Sequence, residues 1–317
     1  MDWLSRLFEM IPVHGRVDLR CFYGAPWRIE QGPALTGEMP YHVVVGGSAI
    51  LDVPTGGPAR LMPGDILVLP QGDFHVLHDG SGAPPEPSRN RAGLNVVFSE
   101  NAGTGERLDL MCGHFVLEAP HHSLLQSYLP RVLVVQAAER SASTARPGTG
   151  AQLAGLVSLM RIESALENLG GRAMLNALSA ALFTLTMRLA SEASEAPAGL
   201  LALAGNPRLA PALAALFREP ARPWSLPELA RLCNMSRATL ARQFQENLGR
   251  SASELLTDIR MILAANELKK SSASTAAVAE TVGYQSEAAF QRVFKHRMGM
   301  TPARWRRGTR APDPSTA

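Results

Sequence analysis

Long apolar runs are scarce in this chain of 317 residues. No stretch approaches the ~18 consecutive apolar residues that a membrane-spanning helix requires. The first residues, MDWLSRLFEMIP, also lack the apolar core of an export signal. The sequence therefore predicts a cytoplasmic protein that has no membrane partner.

Cysteine is rare as well, since the chain holds only Cys21, Cys112 and Cys233. Three cysteines cannot all pair with one another, and a small secreted fold that depends on disulfides needs more of them. This count excludes a disulfide scaffold and favours a reducing compartment.

Acidic side chains are few in one part of the chain. Residues 206–310 hold 17 Arg and Lys against 8 Asp and Glu, a net charge of +9, whereas residues 1–205 hold 14 against 19, a net charge of −5. A chain of this length predicts about two domains. A basic segment beside an acidic body is typical of a module that binds a polyanion, although an arginine-rich solvated helical face gives the same charge. Charge alone does not decide between the two.

The basic segment contains an internal repeat, which favours the first alternative. The segments 229–249 (LARLCNMSRATLARQFQENLG) and 278–299 (VAETVGYQSEAAFQRVFKHRMG) match at an offset of fifty residues over much of their length. Each copy predicts a short apolar helix, Leu226–Leu232 or Thr275–Val282, then a tight turn and a serine that caps a second helix. Two helices joined by so short a turn are typical of a helix-turn-helix.

The second helix of each copy is amphipathic. Its apolar residues recur at i, i+4 and i+8 and are predicted to point inward. The opposite face carries side chains of the types that reach base edges and phosphates in a major groove. The candidate DNA-binding residues are Ser236, Arg237, Thr239, Arg242 and Gln245 in the first copy, and Ser286, Glu287, Gln291, Arg292 and Lys295 in the second.

The repeat, and above all AVAETVGYQSEAAFQRVFKHRMGMTPARWR at 277–306, resembles the DNA-binding domain of the AraC/XylS family of bacterial transcription regulators. The resemblance implies two helix-turn-helix units joined by a long helix, here Ser253–Lys269. It also implies that one chain binds adjacent major grooves of promoter DNA, usually to activate transcription with RNA polymerase.

The N-terminal half consists of short strand-like runs separated by Gly and Pro, such as YHVVVGGSAILDV and ARLMPGDILVLP. Many short strands with frequent turns predict a small β-barrel or sandwich. The stretch PGDILVLPQGDFH, with Gly64, Pro70, Gly72 and His75, resembles the second cupin motif, so the expected fold class is α+β: a cupin-like β-barrel with flanking helices, followed by an all-α domain with two helix-turn-helix units.

Cupin enzymes usually hold one divalent transition metal with about three histidines and a carboxylate. His42, His75 and His78 are the candidate ligands here, but positions 75 and 78 have opposite parity on a regular strand. The first cupin motif lacks its second His and its Glu. The alternative is that these histidines are hydrogen-bonded within the barrel and hold no metal.

Two long helical patterns follow, Gln152–Leu169 and Arg172–Ser191. The second is apolar nearly all round, which requires more than one covered face. We predict a homodimer through these helices, with packing inside one chain as the alternative. The expected domains are a sensor and dimerisation domain at 1–195, a linker at 196–206, a DNA-binding domain at 207–310 and a disordered tail at 311–317.

Two cysteines of the N-terminal half have a cationic neighbour in sequence, Arg20 beside Cys21 and His114 near Cys112. A nearby cation can lower the pKa of a thiol. The layout of this half resembles the subgroup of AraC-type regulators that includes a reactive-chlorine-responsive activator, which implies that Cys21 and Cys112 sense oxidant. From the residues alone, inert buried thiols are the favoured interpretation of both. Cys233 follows an apolar helix and is expected in a core.

Two functions therefore compete. One is a transcription regulator whose β domain senses an oxidant, a metal or a small ligand. The other is a metal-dependent cupin enzyme fused to a DNA-binding domain. The incomplete first cupin motif favours the regulator, because a catalytic metal would lack its carboxylate.

Overall fold

The computed structural model describes residues 2–54, 56–117, 125–136, 148–193, 197–270 and 272–308. The chain divides into two compact units. One is Val13–Pro197, and the other combines Met1–Pro12 with Ala198–Ala317. The predicted disordered tail at 311–317 lies outside the described residues.

The unit Val13–Pro197 contains two β-sheets. The seven-stranded sheet has the order β11-β6-β3-β10-β1-β9-β8, and the four-stranded sheet has the order β2-β7-β4-β5. The strands are β1 (Val13–Gly24), β2 (Arg28–Gln31), β3 (Glu38–Gly46), β4 (Ala49–Asp52), β5 (Ala59–Leu61), β6 (Asp65–Val68), β7 (His75–His78), β8 (Ser88–Ala92), β9 (Val97–Asn101), β10 (Arg107–Leu117) and β11 (Leu133–Gln136).

The predicted barrel is not closed by hydrogen bonds between strands in the described part of the chain, because the two sheets do not pair with each other. One apolar core joins them. It takes side chains from both sheets, namely Cys21, Tyr23, Val44, Leu67, Leu108, Leu110 and Cys112 from the larger sheet, and Ala49, Leu51, Leu61 and Leu77 from the smaller. The unit is therefore mostly β-sheet, as expected, but two-layered.

The strand β1 was not predicted. Its residues are buried on both faces, so VHGRVDLRCFYG does not alternate cleanly between apolar and polar positions. It pairs along its whole length with β10, with an irregularity between Val17 and Leu19. In this register Cys21 lies opposite Leu110 and Cys112 lies opposite Leu19, which makes the two cysteines diagonal neighbours.

Two helices, α2 (Thr149–Ala165) and α3 (Gly171–Glu192), pack in this unit, with α3 against α2 and β1. Gly15 lets α3 approach closely, because a Cβ there would meet Ala180 N at 2.4 Å. By length and composition α3 could also cross a membrane, but here Phe183 contacts Phe115 with 4.8 Å between ring centroids.

The predicted helix Gln152–Leu169 stops early, at Ala165. The side chain of Asn95 explains the end, since its Nδ2 donates to the carbonyls of Leu166 and Asn168 at 3.0 and 3.4 Å. Its Oδ1 also accepts from Arg172 N at 3.0 Å. A residue seventy positions away in sequence therefore fixes the turn between α2 and α3.

The other unit is helical. Its helices among the described residues are α1 (Trp3–Met10), α4 (Leu200–Gly205), α5 (Ala210–Arg218), α6 (Leu226–Leu232), α7 (Arg237–Leu248), α8 (Ala252–Lys270), α9 (Thr275–Thr281), α10 (Glu287–Met298) and α11 (Pro302–Gly308). Two of them differ from expectation. The predicted linker 196–206 contains α4, and α1 packs on α5 and α8 rather than in the β unit.

The helix pairs α6–α7 and α9–α10 have the same turn. Asn234 and Gly283 lie in the left-handed region with φ of 51° and 88°. In each pair the next residue, Met235 or Tyr284, donates its N–H to the carbonyl five positions back. This is the Schellman arrangement, which ends a helix on one left-handed residue. The repeat seen in the sequence is thus a repeat of backbone geometry.

Candidate functional site

A chain of buried polar groups lies between the two sheets. His42 on β3 is directly opposite Cys112 on β10, and its Nδ1 lies 3.0 Å from Cys112 Sγ. The other ring nitrogen, Nε2, lies 2.8 Å from His75 Nε2. His75 Nδ1 lies 3.0 Å from the Asp73 carbonyl oxygen. All three side chains are buried.

The direction of these hydrogen bonds follows from the last one. The Asp73 carbonyl can only accept, so His75 Nδ1 must carry a proton. Burial lowers the pKa of His75, and burial together with the neighbouring His75 lowers that of His42 well below its ordinary value, so both rings are neutral. His75 Nε2 must then accept from His42 Nε2–H, and His42 Nδ1 must accept from the Cys112 thiol.

Cys21 extends this chain. When Cys21 loses its proton, the single Cys112 S–H turns from His42 Nδ1 to the Cys21 sulfur, and this hydrogen bond lowers the pKa of Cys21. A hydrogen bond from the Tyr23 hydroxyl lowers it more weakly, against the opposing effect of burial. The same contact with Cys21, with burial, raises the pKa of Cys112 well above its ordinary value. Burial and Cys21 raise the pKa of Tyr23 to about 12. The pair therefore ionises at Cys21, while Cys112 keeps its proton.

The cations expected beside these cysteines do not contact them. Arg20 points to the other face of β1, where its guanidinium forms two hydrogen bonds of 2.7 Å with Asp109 and also binds Ser164 on α2. His114 Nδ1 pairs with Asp18 Oδ2 at 2.6 Å. The prediction that Arg20 and His114 favour the thiolates was wrong. Arg20 points to the face of β1 opposite to Cys21, and His114 is paired with Asp18 instead.

The three candidate metal ligands do not converge. His78 Nε2 pairs with Asp52 Oδ2 at 3.0 Å, on the face opposite to His75, as its parity requires. His42 already uses both ring nitrogens. The described residues contain no group of three His, Cys, Asp or Glu side chains placed to hold a metal ion. The arrangement does not fit a cupin metal centre, and we derive no chemistry through a metal.

The predicted DNA-binding residues all lie on α7 and α10 or at their first turns. Ser236 and Ser286 are the caps, since their Oγ atoms accept from Thr239 N at 3.1 Å and Ala289 N at 3.4 Å. Thr239 is half-buried, and the remaining candidates are exposed: Arg237, Arg242, Gln245, Glu287, Gln291, Arg292 and Lys295.

Beneath this surface the two helices bury matching residues. Leu240, Phe244 and Leu248 lie in the core under α7, and Phe290, Phe294 and Met298 lie under α10. Arg242 has a side chain that is 68% exposed, and its pair with Glu246 is loose, at 3.8 Å. Each helix thus presents long polar side chains on a rigid apolar base.

The comparisons with known proteins match both units of the chain to known families. Residues 2–192 match the family model described as Cupin, and residues 229–308 match the one described as Helix-turn-helix domain. An uncharacterised HTH-type transcriptional regulator of Haemophilus influenzae is 30% identical over 97% of this chain and 99% of its own length. The chain belongs to the AraC-type transcriptional regulators that carry a cupin domain.

Two further relatives are similar over almost their whole lengths. The HTH-type transcriptional regulator MtrA of Neisseria gonorrhoeae is 29% identical over 97% of this chain and 98% of its own. The RCS-specific HTH-type transcriptional activator RclR of Escherichia coli is 27% identical over 98% and 99%. This chain is accordingly a DNA-binding transcription regulator with a cupin unit of the kind that suggests effector sensing.

Sequence reasoning missed part of this regulator's buried site. Tyr23 and Ser99 were not predicted, although their hydroxyls lie 2.8 Å apart and Tyr23 contacts Cys21. Tyr23 stands two positions after Cys21, a spacing that places both on one face of a strand. That signal was available only once β1 was known to be a strand.

Proposed function

We propose that this regulator is an oxidant-responsive activator of transcription in the cytoplasm, with the β unit as the sensor. The observation that carries the proposal is the contact between the thiols of Cys21 and Cys112. Both thiols are buried and free of a disulfide bond, and the pairing of β1 with β10 makes them neighbours. The name of RclR, an RCS-specific activator, supports an oxidant as the effector.

The chemistry begins at the Cys21 thiolate, because the thiolate is the nucleophilic form. Hypochlorous acid oxidises it to a sulfenic acid and is reduced to chloride. The Cys112 thiol then attacks the sulfenic sulfur, so that the S–S bond forms, the S–O bond breaks and water leaves. Such a disulfide requires the two Cα atoms to lie within about 7 Å, a separation that neighbouring strands allow.

Cys112, His42 and His75 hold one another in place in the sensor. Cys112 Sγ lies 3.0 Å from His42 Nδ1, and His42 Nε2 lies 2.8 Å from His75 Nε2. Both ring nitrogens of His42 are therefore occupied, which leaves neither for a catalytic metal. For that reason we favour sensing over catalysis in the β unit.

The response has a path to the helical unit through the chain itself. Cys21 lies on β1, and β1 follows α1 in the chain directly after Pro12. The helix α1 is held within the helical unit, where Met10 O accepts from Asn266 Nδ2 at 2.7 Å and Trp3 lies 6.1 Å from Phe217 between ring centroids. A shift of β1 on oxidation therefore acts on α1 directly.

The test of this function uses purified full-length protein treated with hypochlorous acid. Peptide mapping without reductant should find a Cys21–Cys112 disulfide, and a promoter template with RNA polymerase should show oxidant-dependent transcription. Cys21→Ala should abolish that response and leave basal DNA binding intact. Cys233→Ala is the matched control, since that thiol is buried in the helical unit and burial raises its pKa. A Cys21→Ala, Cys112→Ala protein that still responds fully would contradict the proposal.

We also propose that α6–α7 and α9–α10 are two helix-turn-helix units and that one chain reads two successive major grooves with α7 and α10. The identical turn geometry and the exposed polar faces support this reading. The net charge of +9 over 206–310 supports binding to the phosphate backbone. Protection of two adjacent DNA segments by one protomer is the expected footprint.

A homodimer through α2 is the last part of the proposal. Leu159 and Ile162 form an apolar stripe, 42% and 50% exposed, on the side of α2 opposite to its buried residues, and the exposed Leu166 and Leu169 follow in the turn after α2. This exposed apolar surface fits the same surface of a second copy. Arg161 and Glu163 flank Ile162 on opposite sides, so a parallel copy places opposite charges side by side.

Light scattering of the full chain should report twice the 34.0 kDa chain mass. The variant Leu159→Glu, Ile162→Glu should be monomeric, whereas Ser158→Glu, an exposed residue beside the stripe, should remain dimeric. A wild-type protein that is monomeric with and without DNA would disprove the dimer.

A further inference from the structure

One carboxylate contacts the ends of both candidate recognition helices. Asp258 is fully buried in α8, the long helix between the two helix pairs. Its Oδ2 lies 3.1 Å from Arg250 Nη1, and its Oδ1 lies 3.2 Å from Arg297 Nε. The two arginine side chains are 30% and 23% exposed, so the ion pairs are partly shielded from water.

Asp258, Arg250 and Arg297 form a triad, and the positions of the two arginines show which elements it joins. Arg250 directly follows Gly249, the left-handed residue that ends α7. Arg297 is the second-last residue of α10. The carboxylate of Asp258 therefore joins the C-terminal end of α7 to the C-terminal end of α10.

Stability alone is a poor reason for such a triad. Removing charges from water costs several kcal/mol for each ion, and well-packed apolar residues in their place are often as stable. A buried carboxylate with two cationic partners fixes the geometry of those partners. Its hydrogen bonds and ion pairs weaken when the groups move apart. Two helices that enter successive major grooves need a fixed separation of one DNA turn.

We propose that Asp258 is a positioning residue that sets the distance between α7 and α10, and hence the number of base pairs between the two DNA segments that one chain reads. This inference rests on the proposed reading of DNA by two helix-turn-helix units. Asp258 touches no DNA in this role and acts through Arg250 and Arg297.

The test measures how strictly the protein requires that number of base pairs. Full-length protein is titrated onto a duplex selected by it from random-sequence DNA, and onto versions with one or two base pairs inserted between the protected segments. Two inserted pairs rotate one segment by about 70° relative to the other. The wild type should lose roughly 30-fold or more in affinity, the size of a strong mismatch effect.

Asp258→Asn keeps the shape of the side chain and removes its charge. We expect it to bind the original duplex more weakly than wild type but to lose less than about fivefold on the inserted versions, because α10 is no longer held at one distance. Arg297→Gln should behave in the same way, and Arg297→Lys should keep most of the wild-type discrimination. Since Arg297 is partly exposed, its variants carry the test if Asp258→Asn does not fold.

Arg242→Ala separates positioning from contact, since loss of a direct contact should weaken binding to every duplex by one factor. The inference is overturned if folded Asp258→Asn or Arg297→Gln protein discriminates among the duplexes as the wild type does. A wild type that is itself indifferent to the inserted base pairs would instead contradict the two-unit reading of DNA.

Discussion

The two units of this regulator place their functional side chains by different rules. In the helical unit the candidate DNA-binding residues are exposed and polar, and they follow from helical periodicity and from the caps Ser236 and Ser286. In the β unit Cys21, Cys112 and His42 are buried, and they meet only because β1, β3 and β10 pair. A local pattern can be read along a sequence, whereas a pairing between distant strands cannot.

The difference also concerns charge. The helical surface presents exposed cations, and the electrostatic interactions of exposed charges are screened by salt. The buried chain works through neutral groups whose hydrogen bonds are strengthened by the low dielectric around them. We expect single substitutions to have graded effects on the surface and abrupt effects in the β unit.

The largest loss of stability should come from Arg20→Met in the β unit. Breaking the buried pair with Asp109 leaves a carboxylate without its cation and should cost about 3 kcal/mol of the free energy of unfolding. Urea unfolding followed by hydrogen exchange of β1 measures this cost.

Arg28→Met is the matched control for that substitution. Arg28 pairs with Glu30 on the surface, where such pairs contribute less than about 1 kcal/mol. If both variants lose the same stability, burial is not what makes the Arg20–Asp109 pair stabilising.

Gly283→Ala should produce the next largest effect, in the turn of α9–α10. A Cβ there would meet Ala221 O at 2.2 Å, and φ is +88°, so we expect a loss of about 2 kcal/mol in the stability of the helical unit. Thermal unfolding monitored by hydrogen exchange of α9 and α10 is the measurement.

Gly249→Ala separates steric contact from backbone strain. Its φ is +67°, and no atom lies within 4 Å of the added Cβ, so only the left-handed strain of about 1 kcal/mol should appear. Equal losses for the two glycines would show that the approach of Ala221 is not what requires Gly283.

Arg242→Ala should weaken specific DNA binding by about 1–3 kcal/mol if its guanidinium reads a base edge. The exposed side chain forms only a pair of 3.8 Å with Glu246, so the fold should not change. Anisotropy titrations on selected and random duplexes give the answer. An equal loss on both would make Arg242 a phosphate contact.

Tyr23→Phe should have the smallest effect. It removes one of the two hydrogen bonds that lower the pKa of Cys21, a change of roughly 1 kcal/mol. The lowered pKa means that Cys21 gains its thiolate, and its reactivity, at a pH below that of an ordinary thiol. In Tyr23→Phe the pH profile of Cys21 alkylation should move upward.

Cys233 supplies the internal reference for this profile. Burial raises the pKa of Cys233, so its alkylation should continue to rise at pH values where that of Cys21 has levelled off. A Cys21 profile that is unchanged in Tyr23→Phe would contradict the role of the tyrosine hydroxyl.

What the sequence alone determined is the two helix pairs of the helical unit. The repeat, the capping serines and the apolar spacing predicted α6, α7, α9 and α10 within a residue or two, because a helix is stabilised by contacts between residues three and four apart. The short strands around His42 and His75 were predicted for a similar reason, since turns and alternation are local signals.

Only the tertiary structure decided how the β unit uses its side chains. Arg20 stands next to Cys21 in the sequence and is buried in a different environment, whereas Cys112 stands ninety-one positions away and contacts it. The same holds for Asn95, which fixes the turn between α2 and α3, and for Asp258, which joins two helix pairs. Such contacts depend on which strands and helices pack together, and the free energy of that packing is summed over the whole fold rather than over neighbouring residues.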